Sequence, residues 1–372
     1  MASKKITIIA SSIISIAAVA GLGYFIIAPS PAKTTGNAPT QNQITPELES
    51  FQGVLAGVLE GIEENTGKIP EVLSNPFAKK EGAAASPAPS SGENNFTFAI
   101  LGDTQRFTAG NKQGNFQKAT ANIKKQNPNM IIAVGDLVSN CKGKSDDAQN
   151  YDDWKNILGA LTSKTYAVQG NHDRVENLDK CDRIWQDTFN FPTNGPSGFS
   201  ELTYSLDFKN SHFVFLDSNK PDAHQVNDAQ RDWLEQDLTK NKKENTFVIF
   251  HEPAYPTGYK SGESLDVEPS QRNALWEILD RHNVTAVFNG HEHIASRRKI
   301  DSQVSSAAKN SIYQFVFGNT DSFDHTLPAP GIAEYANQGQ GRYGIVKVSG
   351  KEITVETRGP NGEILDTFAF SK

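Results

Sequence analysis

From Asn95 to the C-terminus, short apolar runs alternate with longer stretches of helical period. Phe96–Leu101 reads as a strand stopped by Gly102-Asp103, and Met130–Val134 is apolar at every position, the pattern of a strand covered on both faces. Phe116–Gln126 and Tyr151–Leu161 are predicted helices, and Thr165–Val168 is a short strand before Gly170. Further strands are predicted at Leu202–Phe208, His212–Leu216, Phe247–Phe250, Val284–Phe288 and Ile312–Phe317, with helices predicted at Asn227–Lys240 and Ser270–His282. The chain closes on hairpin-like runs at Tyr343–Val348, Ile353–Thr357 and Ile364–Ala369, separated by Ser349-Gly350 and Pro360-Asn361-Gly362. Alternation first and strands in succession later imply two packed mixed sheets with helices outside, a four-layer αββα sandwich of the α/β (α+β) class.

The first 94 residues have another texture. Lys4 and Lys5 precede an uncharged run from Ile6 to Ala28, 23 residues long. As a helix that run would cross about 30 Å of hydrocarbon. Lysines on its short leading side place the N-terminus in the cytoplasm and the rest outside, as a single-pass signal-anchor. The alternative is a cleaved signal and a secreted chain, but Pro29 and Pro31 suit a cleavage site poorly. Residues 29–45 read as a polar stalk and residues 79–95 as a second linker. Between them Thr45-Pro46 opens a predicted helix at about residues 46–64, with a stripe of Leu48, Phe51, Leu55, Val58 and Ile62. A second row, Gly53, Gly57 and Gly61, permits close backbone approach. This helix either docks on its own folded domain or serves self-association. The division is therefore 1–28 anchor, 29–94 linker and stalk, and 95–372 folded domain.

With 372 residues, 37% hydrophobic and 21% charged, the chain has material for one large core or two modest ones. A net charge of −7 and no basic run make nucleic acid an unexpected partner. Cys141 and Cys181 are its two cysteines, and each lies shortly after a motif described below. They either staple two loops, as an extracytoplasmic location would permit, or remain free thiols.

The chemistry sits at predicted strand ends: Asp103-Thr104-Gln105, Gly135-Asp136, Gly170-Asn171-His172-Asp173, His251-Glu252 and Gly290-His291-Glu292-His293. Groups at the carboxyl ends of strands in a layered α/β domain converge on one crevice. These supply oxygen and imidazole donors for two adjacent divalent cations, and such a pair both activates water and neutralises a phosphate. The remaining histidines, His212, His224, His282 and His325, have no such context and read as ordinary surface or core residues.

The ordered set resembles the calcineurin-like metallophosphoesterase superfamily, whose pattern is Asp-x-His, Gly-Asp, Gly-Asn-His-Asp/Glu, His and Gly-His-x-His. All five occur in order over residues 103–293, and residues 95–372 fit the size of that domain. The resemblance implies that Asp103, Gln105 and His293 hold a first metal, that Asn171, His251 and His291 hold a second, and that Asp136 bridges them. His172 would donate a proton to the leaving oxygen, with Asp173 orienting its ring. One departure is Gln105 in place of the usual histidine. An amide oxygen is a harder ligand than imidazole, which tilts the first metal towards manganese, with zinc, iron or magnesium as alternatives. Another is Ser139, where the purple acid phosphatase branch carries a tyrosine, so a tyrosinate-bound ferric iron is not expected.

The expectation is thus a dinuclear metal-dependent hydrolase of a small phosphate ester, attacking through a metal-bridging hydroxide. A phosphomonoester is preferred because no extended basic groove is visible. A phosphodiesterase, or a non-catalytic envelope-binding scaffold on the same fold, is the alternative. Arg106 and Tyr255 are candidate substrate contacts, with Tyr259 in the same loop as Tyr255. Glu252 and Glu292 have no assigned role, and Gly318-Asn319-Thr320-Asp321 is either cleft floor or a plain turn.

Overall fold

The computed structural model describes residues 95–176 and 178–372. The predicted anchor, stalk and 46–64 helix lie outside them. Among the described residues no helix is long and apolar enough to cross a membrane.

The elements are β1 (Asn95–Leu101), α1 (Asn115–Gln126), β2 (Met130–Ala133), α2 (Asp147–Leu158), β3 (Thr165–Ala167), α3 (Leu178–Thr188), β4 (Tyr204–Phe208), β5 (Ser211–Phe215), α4 (Asp228–Lys240) and β6 (Asn245–Ile249). They continue with α5 (Pro269–Arg281), β7 (Ala286–Asn289), β8 (Ala295–Ile300), β9 (Ile312–Phe317), β10 (Tyr335–Asn337), β11 (Tyr343–Ser349), β12 (Glu352–Arg358) and β13 (Ile364–Ser371).

The strands form two mixed sheets. One has the order β13-β12-β11-β1-β2-β3, with β1, β2 and β3 parallel and the C-terminal hairpins antiparallel. The other has the order β10-β8-β9-β7-β6-β5-β4, with β5, β6, β7 and β9 parallel, β4 and β8 running against them, and the edge strand β10 antiparallel to β8.

Aromatic side chains weld the sheets. Phe98 of β1 meets Phe213 of β5 and Phe247 of β6 edge-on, each at 5.3 Å, and Phe288 of β7 at 5.9 Å. The strand period of two then separates the faces. In β6, Phe247 and Ile249 enter this shared core. Val248 joins a second cluster with Leu234 and Leu238 of α4 and Trp276 and Leu279 of α5. That double coverage is why Phe247–Ile249 has no polar position.

The apolar pattern missed three elements. In α3 the buried residues include Asp182, held by Arg174 at 2.9 Å and Lys220 at 2.8 Å, so its inner face does not read as apolar. In β8 two arginines mask the strand; Arg297 is buried against Asp366 and stacks over Phe368. The third, β10, is three residues at a sheet edge. The sheet geometry brings the carboxyl ends of β1, β2 and β3, and of β6 and β7, to the positions the motifs occupy.

Candidate metal centre

Each motif turns sharply as its strand ends. Asp103, Asp136 and His291 all adopt left-handed backbone, with φ of 52°, 53° and 68°. This conformation is costly for residues with a Cβ and persists only where surrounding bonds enforce it. The Asp103 N–H donates to the Gly135 carbonyl at 3.0 Å, and the His291 N–H donates to both carboxylate oxygens of Asp103 at 3.0 and 3.1 Å. Glycine gives the room. A Cβ on Gly135 (φ +96°) would stand 2.5 Å from His251 Nδ1, and one on Gly170 would stand 2.2 Å from Asp136 Oδ1.

The side chains named from the sequence meet in one buried cluster. Asp103 Oδ1 lies 3.3 Å from His293 Nε2, and Gln105 Nε2 lies 3.3 Å from the same nitrogen and donates to Asp136 Oδ2 at 3.5 Å. Asp136 Oδ1 lies 3.4 Å from His251 Nε2, which is 3.1 Å from Asn171 Oδ1. The rings of His251 and His291 are 5.1 Å apart. His172 stands at the edge, its Nε2 4.0 Å from Asp136 Oδ2.

The chemistry of these donors fits cations. His251 Nδ1–H donates to the Val134 carbonyl at 2.7 Å, and His291 Nε2–H donates to the Glu263 carbonyl at 2.7 Å. Each neutral ring thereby keeps its other nitrogen as a lone pair, the arrangement of metal-bound imidazole. His251 Nε2 then faces a carboxylate oxygen and an amide oxygen, a place where either a proton on the ring or a bound cation must stand between three electron-rich atoms. Gln105 Oε1 is buried with no hydrogen-bond partner among the described residues. Asp103, Asp136 and His251 each offer a ligand atom within 4.8 Å of the others.

Charge within the cluster points the same way. Burial alone would raise the Asp136 carboxyl, but His251 and His172 outweigh it and hold it below the usual carboxylate range. Burial also raises Asp103, against the pull of His293 and His251. For His251, burial opposes the charge, yet Asp136 and Asp103 outweigh it and push the imidazole up to about 10. His291 is driven well below its ordinary value by burial and by His251. Two buried carboxylates thus demand positive charge at their centre.

Three expectations are corrected. Asp173 does not orient the His172 ring. Its carboxylate accepts the backbone N–H groups of Leu137, Val138 and Gly170 and the Tyr151 hydroxyl at 2.9–3.3 Å, tying the turn after β2 to the turn after β3. Burial and the Asp136 charge raise its pKa to about 7. The ring's partner is Asn140, whose Oδ1 lies 2.6 Å from His172 Nδ1. Tyr255 does not line an entrance: it is 4% exposed, edge-on to Trp276 at 4.8 Å, with the Arg272 guanidinium over its ring at 4.7 Å. His325, read as ordinary, stacks on His293 at 4.0 Å, and its Nδ1 accepts the His293 N–H at 3.0 Å.

The other candidates find places. Arg106 is exposed, its guanidinium 3.5 Å over the Phe323 ring. Glu292 is buried and accepts the N–H groups of Thr257 and Gly258, fixing the loop after β6. Glu252 is buried with His224 at 2.8 Å. The turn after β9 serves as floor: Asn319 Nδ2 donates to the His293 carbonyl at 3.0 Å, and the Asp321 N–H donates to the Asp103 carbonyl at 3.1 Å. Cys141 and Cys181 form a disulfide joining the loop after β2 to α3.

The chain belongs to the calcineurin-like phosphoesterase family, whose family model matches residues 96–295. Purple acid phosphatase 21 of Arabidopsis thaliana is 30% identical over 190 residues, covering 48% of this chain and 40% of that protein. A 3′,5′-cyclic-nucleotide phosphodiesterase of Nostoc sp. is 24% identical over 191 residues, covering 50% of this chain and 64% of that protein. The chain therefore spans less than two thirds of the length of either relative. Among solved structures, the purple acid phosphatase PPD1 from yellow lupin (Lupinus luteus) seeds shares the fold, with a TM-score of 0.63 at 18% identity over 76% of this chain and 55% of that one.

Proposed function

We propose that this protein is a dinuclear metal-dependent phosphoester hydrolase built on an αββα frame. The observation that carries this reading is the convergence of Asp103, Gln105, Asp136, Asn171, His251 and His293 on one buried cluster of carboxylate, amide and imidazole groups. Asp103, Gln105 and His293 would hold one cation and Asn171, His251 and His291 the other, with Asp136 between them. When bound, the cations supply Lewis acidity towards phosphoryl oxygens and a nucleophile from water at neutral pH.

The chain's own residues do the rest. Asp136 and Asp103 fix the charge centre, and Glu292 and the Asn319 turn hold the surrounding loops. His172 reaches the cluster from its edge and hands a proton from Nε2 to the leaving oxygen, while Asn140 holds Nδ1. Manganese is our preferred metal because Gln105 offers oxygen where imidazole is usual.

A phosphomonoester remains the preferred substrate, although the relatives' names divide between an acid phosphatase and a phosphodiesterase. Turnover of p-nitrophenyl phosphate and its bis ester, with Mn²⁺ and after chelation, tests both points. Hydrolysis should vanish on chelation and return with metal; faster cleavage of the bis ester would reverse the preference. Absence of turnover with metal demonstrably bound would favour a scaffold. His172→Ala should lower kcat by roughly 10²–10⁴-fold at unchanged metal content, and equal loss of both would refute its role as acid.

We further infer that residues 1–28 anchor the protein and that 95–372 works outside the cytoplasm as the catalytic domain. A disulfide beside the site is consistent with that compartment.

A further inference from the structure

The rim of the metal centre is aromatic. The His293 ring stacks on His325 at 4.0 Å and 18°, and His325 stacks on Tyr259 at 4.0 Å and 23°. This column starts at a proposed ligand and ends at a tyrosine that is 55% exposed. A second platform lies two residues before His325 in the same loop. Phe323 is 62% exposed, and Arg106 covers one of its faces at 3.5 Å. Both of its flanks lead into the site. Ser322 Oγ lies 3.0 Å from His293 Nδ1, and Arg106 follows Gln105 directly.

Two large rings backed on one side and open to solvent forgo burial that a folding loop would ordinarily take. The loops that carry them are held and not loose. The loop after β6 is fixed by Glu292 and by the His291–Glu263 bond. The loop after β9 is fixed by Asn319 and by the His325 N–H, which donates to the His293 carbonyl at 3.2 Å. Preset rings with a backed face and an open one suit a planar π system better than a flexible alkyl chain.

We propose that the phosphoester handled here carries a planar aromatic group that stacks on Phe323 and Tyr259 while its phosphate lies among Asp103, Asp136 and His293. This rests on the reading of the cluster as a phosphoester site. It adds a substrate class and makes Phe323 and Tyr259 specificity-determining residues.

The test is competition with p-nitrophenyl phosphate turnover by the full chain in detergent with Mn²⁺, the affinity of each of the paired probes being read as its inhibition constant. AMP against ribose 5-phosphate isolates a nucleobase one sugar away from the phosphate. Phenyl phosphate against ethyl phosphate isolates a ring directly on the ester oxygen. The aromatic member of at least one pair should bind about tenfold tighter, and which pair shows the gain identifies the source of the ring. Phe323→Ala and Tyr259→Ala should each cut that advantage to twofold or less, and Tyr259→Phe should keep it. Equal affinities within both pairs, or an advantage that survives both alanine variants, overturns the inference while leaving the phosphoester reading intact. With octyl phosphate as a further probe, a weakening by the two alanine variants that is confined to this alkyl ester would assign the rim to an alkyl tail and also overturn the inference. If neither inorganic phosphate nor any probe binds to metal-loaded protein, the underlying reading of the site fails and takes this inference with it.

Discussion

At the residue scale the site is a set of strained turns held by bonds. Asn140 shares the left-handed backbone of the proposed ligands, with φ of 59°, and its side chain reaches His172 Nδ1 at 2.6 Å. Asn140→Ala removes the acceptor and frees the ring, so kcat should fall roughly ten- to a hundredfold while bound metal, read by elemental analysis, stays constant. Asn140→Asp retains an acceptor oxygen and should stay within a few-fold of the parent. A metal loss in the alanine variant would show that Asn140 only supports the fold. Asp217 is a second residue with a measurable cost. It is fully buried, and one carboxylate oxygen has no partner among the described residues. Burial raises its pKa to about 6, against the pull of the Asn219 N–H and Arg174. Above its unfolded pKa of 3.8, the folded protein therefore holds more protons than the unfolded chain, and stability from this group falls as pH rises through about 6. Asp217→Asn should melt at nearly the parent temperature at pH 4 and above it at pH 7.5, by at most about 3 kcal/mol of stability. Melting curves that stay parallel at both pH values would refute this.

At the element scale the site depends on how the loop after β2 is joined to α3. The Cys141–Cys181 bridge spans a sequence separation of 40, and the Cys141 N–H donates to the His172 carbonyl at 2.8 Å. The disulfide therefore restrains the segment that carries both Asn140 and His172. A Cys141→Ser, Cys181→Ser double variant should lose about 3–4 kcal/mol, several degrees in Tm, and more of its kcat than of its metal content. An unchanged melting temperature would show that the loop is held without the bridge. What was legible in the sequence follows the same division. Strands β2, β6 and β7 were readable because apolar layers cover both faces, so that all of β2 and the runs Phe247–Ile249 and Ala286–Phe288 are apolar at every position. Helix α3 and strand β8 were not, because their inner faces carry Asp182 and Arg297, whose compensating charges lie outside those elements: Arg174 and Lys220 are 8 and 38 residues from Asp182, and Asp366 is 69 residues from Arg297. The same applies at the site. Ligand-type residues announce themselves within short motifs, whereas Asn140 and His325 act across separations of 32 residues and have no local signature.

At the scale of the whole molecule, the proposed ligands, the proposed proton donor, the disulfide and the aromatic rim all fall within residues 95–372, and the long uncharged run Ile6–Ala28 falls outside them. Burying an uncharged run of this length in a bilayer needs no help from residues 95–372. Hydrolysis in turn needs only loops that the two sheets position. The proposed anchoring and the proposed chemistry should therefore separate cleanly. The full chain is expected to remain with membranes through high-salt and alkaline carbonate washes, whereas a chain starting at Asn95 should be soluble, melt as a unit and keep metal content and kcat within about twofold. The same cut removes the glycine-rowed 46–64 segment, which separates two roles for it. If that segment docks on the domain, the shortened chain should melt measurably lower at an unchanged molecular mass. If it serves self-association, the melting temperature should hold and the mass by light scattering should fall to that of one chain. Release of the full chain by carbonate would sink the anchor, because a spanning helix cannot be washed from a bilayer by pH or salt.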